Sequence, residues 1–383
     1  MTDAPTPAGD TAEAPAADER RASTLELFFD LVFVFAFTQV TAMLADNATL
    51  QGLSHAVLLL MAMWWAWGSY SWLTNAVSTD YLLPRLVLLG AMASFTVVAL
   101  SVPHAFEASA VAFAVGNLIV VLLHSVLYAS AGGTLNRRAI LRLAPTNLIG
   151  ALVFLIAAFV PTEVRAWLWL LAVAIYYAGP YIRSMEGFSV HPSHLAERHH
   201  LIVIIAFGES IIAIGVGATA DGSSLTGLEL AAGLMTIVLV CAMWWRYFDS
   251  EAERGEHALV EARGLARAHL ARDAFSYLHM PLVGSIVLMA VGIKKTVGHP
   301  ETYLKPLPAI LLCGGAALFL LVLAAIRLRR HERVGWSTPA GIVWCLAVTP
   351  VAMYGSGLAA MAALAVGYVT IVVVDMRAKY RGF

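Results

Sequence analysis

The chain has 383 residues, of which 60% are apolar and only 13% are charged. Soluble globular proteins average about 45–50% apolar and about 25% charged residues, so this composition excludes an ordinary soluble fold and favours a protein that exposes apolar side chains to lipid. The formal net charge of −1, with no block of basic residues, gives no indication of a nucleic-acid partner.

The first segment, residues 1–22, is rich in Ala, Pro, Thr, Asp and Glu. It lacks the basic start and the apolar run of a signal peptide. A segment of this composition cannot bury enough apolar surface to fold. We therefore expect a disordered cytoplasmic tail.

Twelve apolar stretches of about 20 residues follow, each long enough to cross the ~30 Å hydrocarbon core as a helix that rises about 1.5 Å per residue. The predicted spans are 25–45, 53–73, 81–102, 107–130, 140–160, 164–182, 199–218, 227–247, 270–293, 307–327, 338–355 and 357–376. We expect an all-α fold, a polytopic integral membrane helical bundle of about 12 transmembrane helices. The alternative is 11 helices, because only Gly355-Ser356-Gly357 divides the short last pair.

The distribution of Lys and Arg predicts the topology, because these residues favour cytoplasmic loops. Of the 24 Lys and Arg residues, 20 fall on the side that holds the N-terminus, the loops after even-numbered helices and the C-terminus. The other four are Arg165, Lys294, Lys295 and Lys305. We expect a multi-pass membrane protein with the lipid bilayer as its partner and both termini in the cytoplasm.

Two parts of the chain resemble each other. Ala62-Met63-Trp64-Trp65 recurs 180 positions later as Ala242-Met243-Trp244-Trp245, and Phe28-Phe29-Asp30 aligns with Phe207-Gly208-Glu209. We predict a parallel repeat of two six-helix halves, 23–183 and 184–383, which is a recurring plan among transporters. The second half carries a charged cytoplasmic linker near 248–269. Chance similarity among Trp-rich and Ala-rich helices is the alternative.

Three carboxylates within predicted spans stand out, because an ionisable side chain costs roughly 2.5–3.5 kcal/mol near the bilayer centre and needs a partner or a function. Glu26 and Asp30 share one face of the first span. Ser23 and Glu26 have the spacing of a capping box, which gives Glu26 a structural alternative. Glu209, beside Ser210, lies roughly 15 Å into the seventh span. A structural ion pair or a permanently protonated Glu209 is the alternative to a functional role.

Two basic residues are candidate partners for these acids. Arg85 opens the third span, and His279 falls in the corresponding stretch of the ninth. The repeat predicts that Asp30 pairs with Arg85 and that Glu209 pairs with His279.

Four further polar residues within spans are candidates: Gln39, Asn117, His124 and Asn147. Asn117 and His124 are seven positions apart on the fourth span and therefore share a face. Such residues most often form interhelical hydrogen bonds. The lining of a polar cavity is the alternative.

A cluster of His, Glu and Arg residues precedes the seventh span. Its members are His191, His194, Glu197, Arg198, His199 and His200. Their spacing is not a recognised zinc motif.

The three cysteines have no C-x-x-C pairing, and we interpret them as small buried apolar side chains; they are Cys241, Cys313 and Cys345. We predict neither a metal nor a cofactor.

Tryptophans cluster near the ends of two spans that run towards the predicted cytoplasmic side. They are Trp64, Trp65, Trp67 and Trp72 in the second span and Trp244 and Trp245 in the eighth. This pattern is typical of the aromatic belt at a lipid interface. Stacking against a ligand is the alternative.

Two motifs carry a family resemblance. One is Leu25-Glu26-Leu27-Phe28-Phe29-Asp30-Leu31-Val32-Phe33-Val34-Phe35, and the other is Glu197-Arg198-His199-His200 followed by Ile204-Ile205-Ala206-Phe207-Gly208-Glu209-Ser210. They resemble the signatures of the bacterial low temperature requirement protein A family, and Trp244-Trp245-x-Tyr247-Phe248 is also similar. The resemblance runs from about residue 20 to the C-terminus. It implies a multi-pass protein of the bacterial cell (inner) membrane with Glu26, Asp30, Arg198 and Glu209 as motif residues, and it implies no substrate.

The sequence contains no phosphate-binding loop, no Gly-x-Ser-x-Gly motif and no zincin motif, so an enzyme is the less favoured class. We predict a secondary transporter or an ion- or proton-translocating protein, in which Asp30 and Glu209 are equivalent carboxylates that bind a proton, a cation or a small-molecule substrate. One alternative is a membrane-embedded enzyme or lipid-handling protein with the same carboxylates as acid and base. Another is a sensor or assembly protein in which the carboxylates only hold helices together.

Overall fold

The computed structural model describes residues 21–131, 133–219 and 224–381. Every regular element in this part of the chain is a helix, which confirms the predicted all-α class. The predicted disordered tail lies outside the described residues except for its last two positions. The first six long helices are α1 (Thr24–Asp46), α2 (Leu50–Ala76), α3 (Leu82–Ser101), α4 (Ala110–Ala131), α5 (Gly133–Ala157) and α6 (Thr162–Ile182).

The second half is interrupted more often. Its helices are α7 (Pro192–Ala218), α8 (Gly227–Arg246), α9 (Ala252–Glu261), α10 (Gly264–Leu270), α11 (His279–Gly298), α12 (Pro306–Arg329), α13 (Ser337–Ala347), α14 (Thr349–Tyr354) and α15 (Gly357–Arg381). Two π-helical turns, Tyr247–Glu251 and Ala271–Tyr277, join α8 to α9 and α10 to α11. The charged segment 248–269, predicted as a linker, is therefore largely helical. Its Leu259 belongs to an apolar cluster with Leu195 of α7 and Phe275.

Among the described residues, eleven helical segments are long and apolar enough to cross a membrane, which confirms the polytopic bundle. Of the twelve predicted spans, α6 is the exception. It forms a helix of 21 residues, but Arg165 together with its Trp, Tyr, Gly and Pro residues lowers its mean hydropathy. The last pair consists of two segments, Ser337–Tyr354 and Gly357–Lys379. The first of these is divided into α13 and α14 near Pro350, which has no N–H to donate to the preceding turn.

Small residues let α11 and α12 pack closely. A Cβ at Gly292 would lie 2.9 Å from the carbonyl oxygen of Pro308, and a Cβ at Gly315 would lie 2.9 Å from the Cβ of Met289. A larger side chain at either position would push the two helices apart. The position of α11 matters for the site because α11 also packs against α1 and α7.

The ends of the described chain meet at one end of the bundle. The backbone N–H of Ala22 donates to Glu197 at the start of α7 (2.7 Å), and Lys379 of α15 lies 3.3 Å from Asp249. The two ends of the described chain and the turn after α8 are therefore on one side, as the Lys and Arg distribution predicts. That this side faces the cytoplasm stays a prediction.

Helix neighbours correspond in the two predicted halves. In the first half α1 contacts α3, α3 contacts α4, and α2 contacts α6. In the second half α7 contacts α11, α11 contacts α12, and α8 contacts α15. A repeat would produce this pattern. In it, α7 and α8 would correspond to α1 and α2, and α11, α12 and α15 would correspond to α3, α4 and α6. The repeat itself stays a prediction, and a superposition of the two halves would test it.

Candidate functional site

Helices α1 and α7 run side by side in the same direction and bury three carboxylates. The contacts along this pair join Ala22 to Glu197, Glu26 to His194, Asp30 to Arg198, and Thr38 to Glu209. Glu26, Asp30 and Glu209 are 2%, 0% and 2% exposed. A buried carboxylate needs a bonding partner to offset the cost of removing its charge from water. The partner of each carboxylate therefore determines the role that the carboxylate can have.

Glu26 closes the N-terminus of α1 and also binds a histidine. Its side chain accepts a hydrogen bond from the backbone N–H of Ser23 (2.7 Å), and Ser23 Oγ accepts one from Glu26 (3.3 Å), so the predicted capping box is confirmed. Its Oε1 lies 3.0 Å from Nε2 of His194. The amide of Asn75 donates to Nδ1 of His194 (3.2 Å), which leaves the ring proton on Nε2, facing Glu26.

Asp30 forms a buried ion pair with Arg198. Its Oδ1 accepts hydrogen bonds from Nη2 of Arg198 and from the indole N–H of Trp67, both at 2.9 Å. Glu26 and Asp30 are four residues apart on α1, and His194 and Arg198 are four residues apart on α7. Two acids therefore meet two bases on successive turns of the helix pair. This shared spacing is the signal in the sequence that could have revealed the pairing.

Several polar atoms around the ion pair have unused hydrogen-bonding capacity. Oδ2 of Asp30, Nε and Nη1 of Arg198, and Nε2 of His199 are buried, and none of them bonds to a described protein atom. A buried polar group left unbonded costs about 1–3 kcal/mol. Ordered water is a common partner for such atoms. The surroundings of Arg198 therefore suit water or a small polar ligand.

Glu209 lies deeper and has a different kind of partner. Its Oε2 accepts a hydrogen bond from Oγ1 of Thr38 (2.7 Å), whereas the hydroxyl of Thr41 donates to the carbonyl of Val287 (3.5 Å). Thr38 follows Asp30 by eight residues on α1, so Glu209 lies about 12 Å further along the bundle axis. Among the described residues, no Lys, Arg or His nitrogen is within 4.0 Å of its carboxylate. Lys294 attracts it only from a longer distance.

The predicted pair of Asp30 and Arg85 is wrong. Arg85 is exposed, and its Nε donates to the carbonyl of Thr79 (2.8 Å). The prediction depended on the repeat alignment, which contains no information on helix rotation. In the structure α1 is rotated so that Asp30 faces Arg198 of α7.

The predicted pair of Glu209 and His279 is also wrong. His279 is buried, and its Nδ1 lies 2.8 Å from the carbonyl of Ala274 in the second π-helical turn. With Nδ1 as the donor, Nε2 accepts from the hydroxyl of Tyr247 (2.7 Å). Both ring nitrogens of His279 are thus used, while Glu209 faces Thr38 of α1.

Asp30 and Glu209 are not equivalent carboxylates. Asp30 is level with Arg198, whereas Glu209 is level with Thr38, and the two acids differ in depth by about 12 Å. A parallel repeat would place equivalent residues at the same depth. The alignment of α1 with α7 at these two positions is therefore wrong.

The other predicted polar residues connect helices. Asn117 donates to Tyr176 (2.9 Å), His124 to the carbonyl of Ser69 (3.1 Å), and the indole of Trp65 to Asn147 (3.3 Å). His124 and Asn147 also line a cavity, so both interpretations of them apply. Ser210 is buried with an Oγ that bonds to no described atom, and Gln39 is half-buried next to Thr38.

Trp64 and Trp67 are interior residues, and the prediction of a lipid-facing belt is wrong for both. They are 4% and 0% exposed. Trp64 donates to the carbonyl of Ser276 (2.6 Å), and Trp67 donates to Asp30. Indole groups that bond to neighbouring helices hold those helices together. Trp244 and Trp245, each 43% exposed, have the exposure that a belt requires.

Cys313 and Cys345 are buried as predicted, but Cys241 is exposed, so the prediction is wrong for that residue. A side chain in an apolar span can face either the protein interior or lipid, and hydropathy alone does not distinguish the two.

Among the residues that the structure describes, no group of three or more His, Cys, Asp or Glu side chains could hold a metal ion. In the histidine cluster, His194 faces Glu26 and His199 donates to the carbonyl of Leu195 (2.8 Å).

A second charged network, which sequence analysis missed, joins α8, α12 and α15. Glu251 in the first π-helical turn binds Arg327 (2.6 Å) and Arg330 (2.7 Å), and Arg246 lies 3.2 Å from Asp375. Burial alone would lower the pKa of Arg330, but Glu332 and Glu251 raise it above its ordinary value. Arg330 therefore stays charged and helps to hold this end of the bundle.

Residues 21–374 match the family model described as bacterial low temperature requirement A protein (LtrA). The chain belongs to this family. A relative from Rhizobium meliloti (strain 1021), described as an uncharacterized protein, is 32% identical over 317 residues, which cover 79% of this chain and 76% of that protein. No solved structure matches the chain.

Membership of the low temperature requirement A family confirms the resemblance that the two carboxylate motifs indicate. In this low temperature requirement A protein the two motifs meet in space. Asp30 of the first binds Arg198 of the second, and Glu209 of the second binds α1 three residues beyond the end of the first. The site is therefore the contact between α1 and α7.

Proposed function

We propose that this low temperature requirement A protein is a secondary transporter or ion-translocating protein, with Glu209 as the group that carries a proton or a cation. The main support is the surroundings of Glu209, which is buried, deep in the bundle, and bonded to a hydroxyl rather than to a base. An ionised carboxylate in such a place is costly without a positive partner. Glu209 therefore binds either a proton or a cation, and the exchange of that ion is the transport step.

Glu26 and Asp30 have a structural role in this mechanism. Each is held by a base, His194 or Arg198, and these pairs keep the neighbouring ends of α1 and α7 together.

The groups near Glu209 suit a small ion. Thr38 presents a hydroxyl to its carboxylate, and the adjacent Ser210 has a buried Oγ with unused bonding capacity. Oxygen atoms of this kind are the ligands that hard cations prefer. The same hydroxyls can also pass a proton along. The structure therefore suits either a proton or a cation, and the flux measurement distinguishes between the two.

Purified protein in liposomes is the direct test. A potassium gradient with valinomycin sets the membrane potential, and an enclosed dye reports proton or sodium entry. We expect flux of one of these ions above that of protein-free liposomes. Glu209→Gln should reduce it roughly 10²-fold, because it removes the group that binds the ion.

Glu229→Gln is the matched control. Glu229 is a carboxylate in another span, but it caps α8 through Thr226 (2.7 Å), so its neutralisation should leave the flux unchanged. Flux of neither ion, or equal flux from the wild type and from Glu209→Gln, would overturn the proposal.

A further inference from the structure

A cavity with charged walls lies within the network that joins α8, α12 and α15. Its volume is about 260 Å³, whereas a buried water needs only about 10–15 Å³ of such space. The cavity can therefore hold a polar group much larger than one water molecule. Four basic and two acidic side chains line it: Arg246, Arg254, Arg327 and Lys379, with Asp249 and Asp375.

The salt bridges around this cavity leave one positive charge without a matching carboxylate. Among the described residues they connect five basic side chains with four carboxylates, some of which are shared. The pairs are Arg246 with Asp375 and Glu251, Arg327 with Glu251, Arg330 with Glu251 and Glu332, Arg254 with Glu332, and Lys379 with Asp249. A ligand with a single negative charge would balance this network.

Arg246 is held in place and still has hydrogen-bonding capacity. It is 4% exposed, its Nη2 donates to Thr338 (2.9 Å), and its Nη1 lies 3.2 Å from Asp375. Its Nε is buried and bonds to no described atom. A buried donor without an acceptor is costly, and an oxygen atom of a ligand would remove that cost. Guanidinium groups suit phosphate oxygens, because their N–H groups form a planar fork.

One side of the cavity is apolar and belongs to the outer surface of the bundle. It is formed by Trp245 of α8 and by Val372 and Met376 of α15. Trp245 is 43% exposed, and Val369, three residues before Val372, is 39% exposed. A tryptophan with such exposure at the end of a span is typical of the level of the lipid headgroups. The cavity therefore lies where phosphate groups of the bilayer are close.

We propose that this cavity binds the phosphodiester headgroup of an anionic phospholipid. Arg246, Arg254 and Lys379 contact the phosphate oxygens, while the glycerol carbons and the first acyl carbons pack against Trp245 and Met376. Basic pockets between transmembrane helices suit such headgroups. The site shares no residue with the surroundings of Glu209, so it goes beyond the proposed ion transport and is tested independently of it.

Native mass spectrometry of the purified protein counts bound lipid molecules and gives the affinity of the tightest one. Dioleoylphosphatidylglycerol is the probe, because its phosphodiester is its one charged group. Dioleoylphosphatidylcholine has the same chains and phosphate but no net charge. The test variant is Arg254→Gln with Lys379→Gln, at two side chains that are each 48% exposed. The matched control is Arg137→Gln with Arg138→Gln, which removes two exposed charges at the start of α5.

We expect the wild type to bind phosphatidylglycerol at least about fivefold more tightly than phosphatidylcholine. The Arg254 and Lys379 double variant should bind it at least about tenfold more weakly, because both side chains attract the phosphate. The control double variant and Glu209→Gln should bind it as the wild type does. Inorganic phosphate in large excess, at constant ionic strength, should not displace the lipid, because it has no apolar part.

Equal affinity for the two lipids would overturn the proposal. The same loss of affinity in both double variants would also do so, because it would indicate attraction to this end of the bundle as a whole. Displacement by inorganic phosphate would identify a site for a free anion and would contradict the lipid site.

A second variant applies if the Arg254 and Lys379 double variant does not fold. Ser250→Glu adds a negative charge to the wall of the cavity and leaves every basic residue in place. Weaker binding of phosphatidylglycerol to this variant supports the proposal, and unchanged binding overturns it.

Discussion

At the scale of single residues, three buried carboxylates of one helix pair differ in their partners. Glu26 faces a histidine, Asp30 faces an arginine, and Glu209 faces the hydroxyl of Thr38. Chemically similar substitutions should therefore have different effects. Neutralisation of Asp30 should act on stability, and neutralisation of Glu209 should act on transport.

Removal of Arg198 should be strongly destabilising. Arg198→Met leaves Asp30 buried without its cation, and breaking such a pair costs roughly 3–5 kcal/mol. The double variant Asp30→Asn with Arg198→Met removes both charges and should be more stable than Arg198→Met alone. Unfolding free energies in mixed micelles measure both effects.

The exposed Arg85 provides the control for this pair, because Arg85→Met should change the unfolding free energy little. Asp30→Asn and Arg198→Met each lower the unfolding free energy by some amount. If the loss in the double variant equalled the sum of these two losses, the structural role of the Asp30–Arg198 pair would be refuted. Residues that do not interact show such additivity.

At the scale of helices, one arginine completes the hydrogen bonding at the end of α5 and in the turn before α4. Arg165 of α6 donates to the carbonyls of Ala157, Ala158 and Val160 after the last turns of α5, and to those of Phe106 and Glu107. The last carbonyls of a helix have no partner within that helix. Arg165 therefore holds α5, α6 and the turn before α4 together.

Lysine should not replace Arg165. An ammonium group has three donors, so Arg165→Lys leaves at least two of these carbonyls without their partner. We expect a loss of about 1–3 kcal/mol, visible as a lower thermal unfolding midpoint. Arg138→Lys, at an exposed position, should leave the midpoint unchanged. Equal midpoints for Arg165→Lys and the wild type would contradict this role.

At the scale of the whole molecule, the basic residues lie mainly at one end of the bundle. There they bind acids from other helices, as Arg330 does with Glu251 and Lys379 with Asp249. The opposite end contains Arg165, Lys294, Lys295 and Lys305. This asymmetry predicts that the basic end faces the cytoplasm.

Labelling of single cysteines tests that orientation. In a Cys241→Ser background, which removes the exposed native thiol, Tyr303→Cys and Arg333→Cys place thiols at exposed positions of opposite ends. An impermeant maleimide should label Tyr303→Cys in intact cells. It should label Arg333→Cys only after the membrane is opened. The reverse pattern would show that the topology is inverted.

The sequence by itself determined the features that belong to one segment. The helical spans follow from hydropathy summed over about 20 residues, and the cap of α1 follows from the spacing of Ser23 and Glu26. The family follows from two short motifs. None of these requires knowledge of which helices are neighbours, because the bilayer imposes the same length and apolarity on every span.

Only the tertiary structure decided which groups meet. Asp30 binds Arg198, 168 positions away in the chain, and Glu209 binds Thr38 across the same interface. The charged cavity beside Arg246 arises from five elements together. These outcomes depend on the rotation of each helix about its axis and on its choice of neighbour. Lipid contributes little to either, because it solvates every apolar face about equally well.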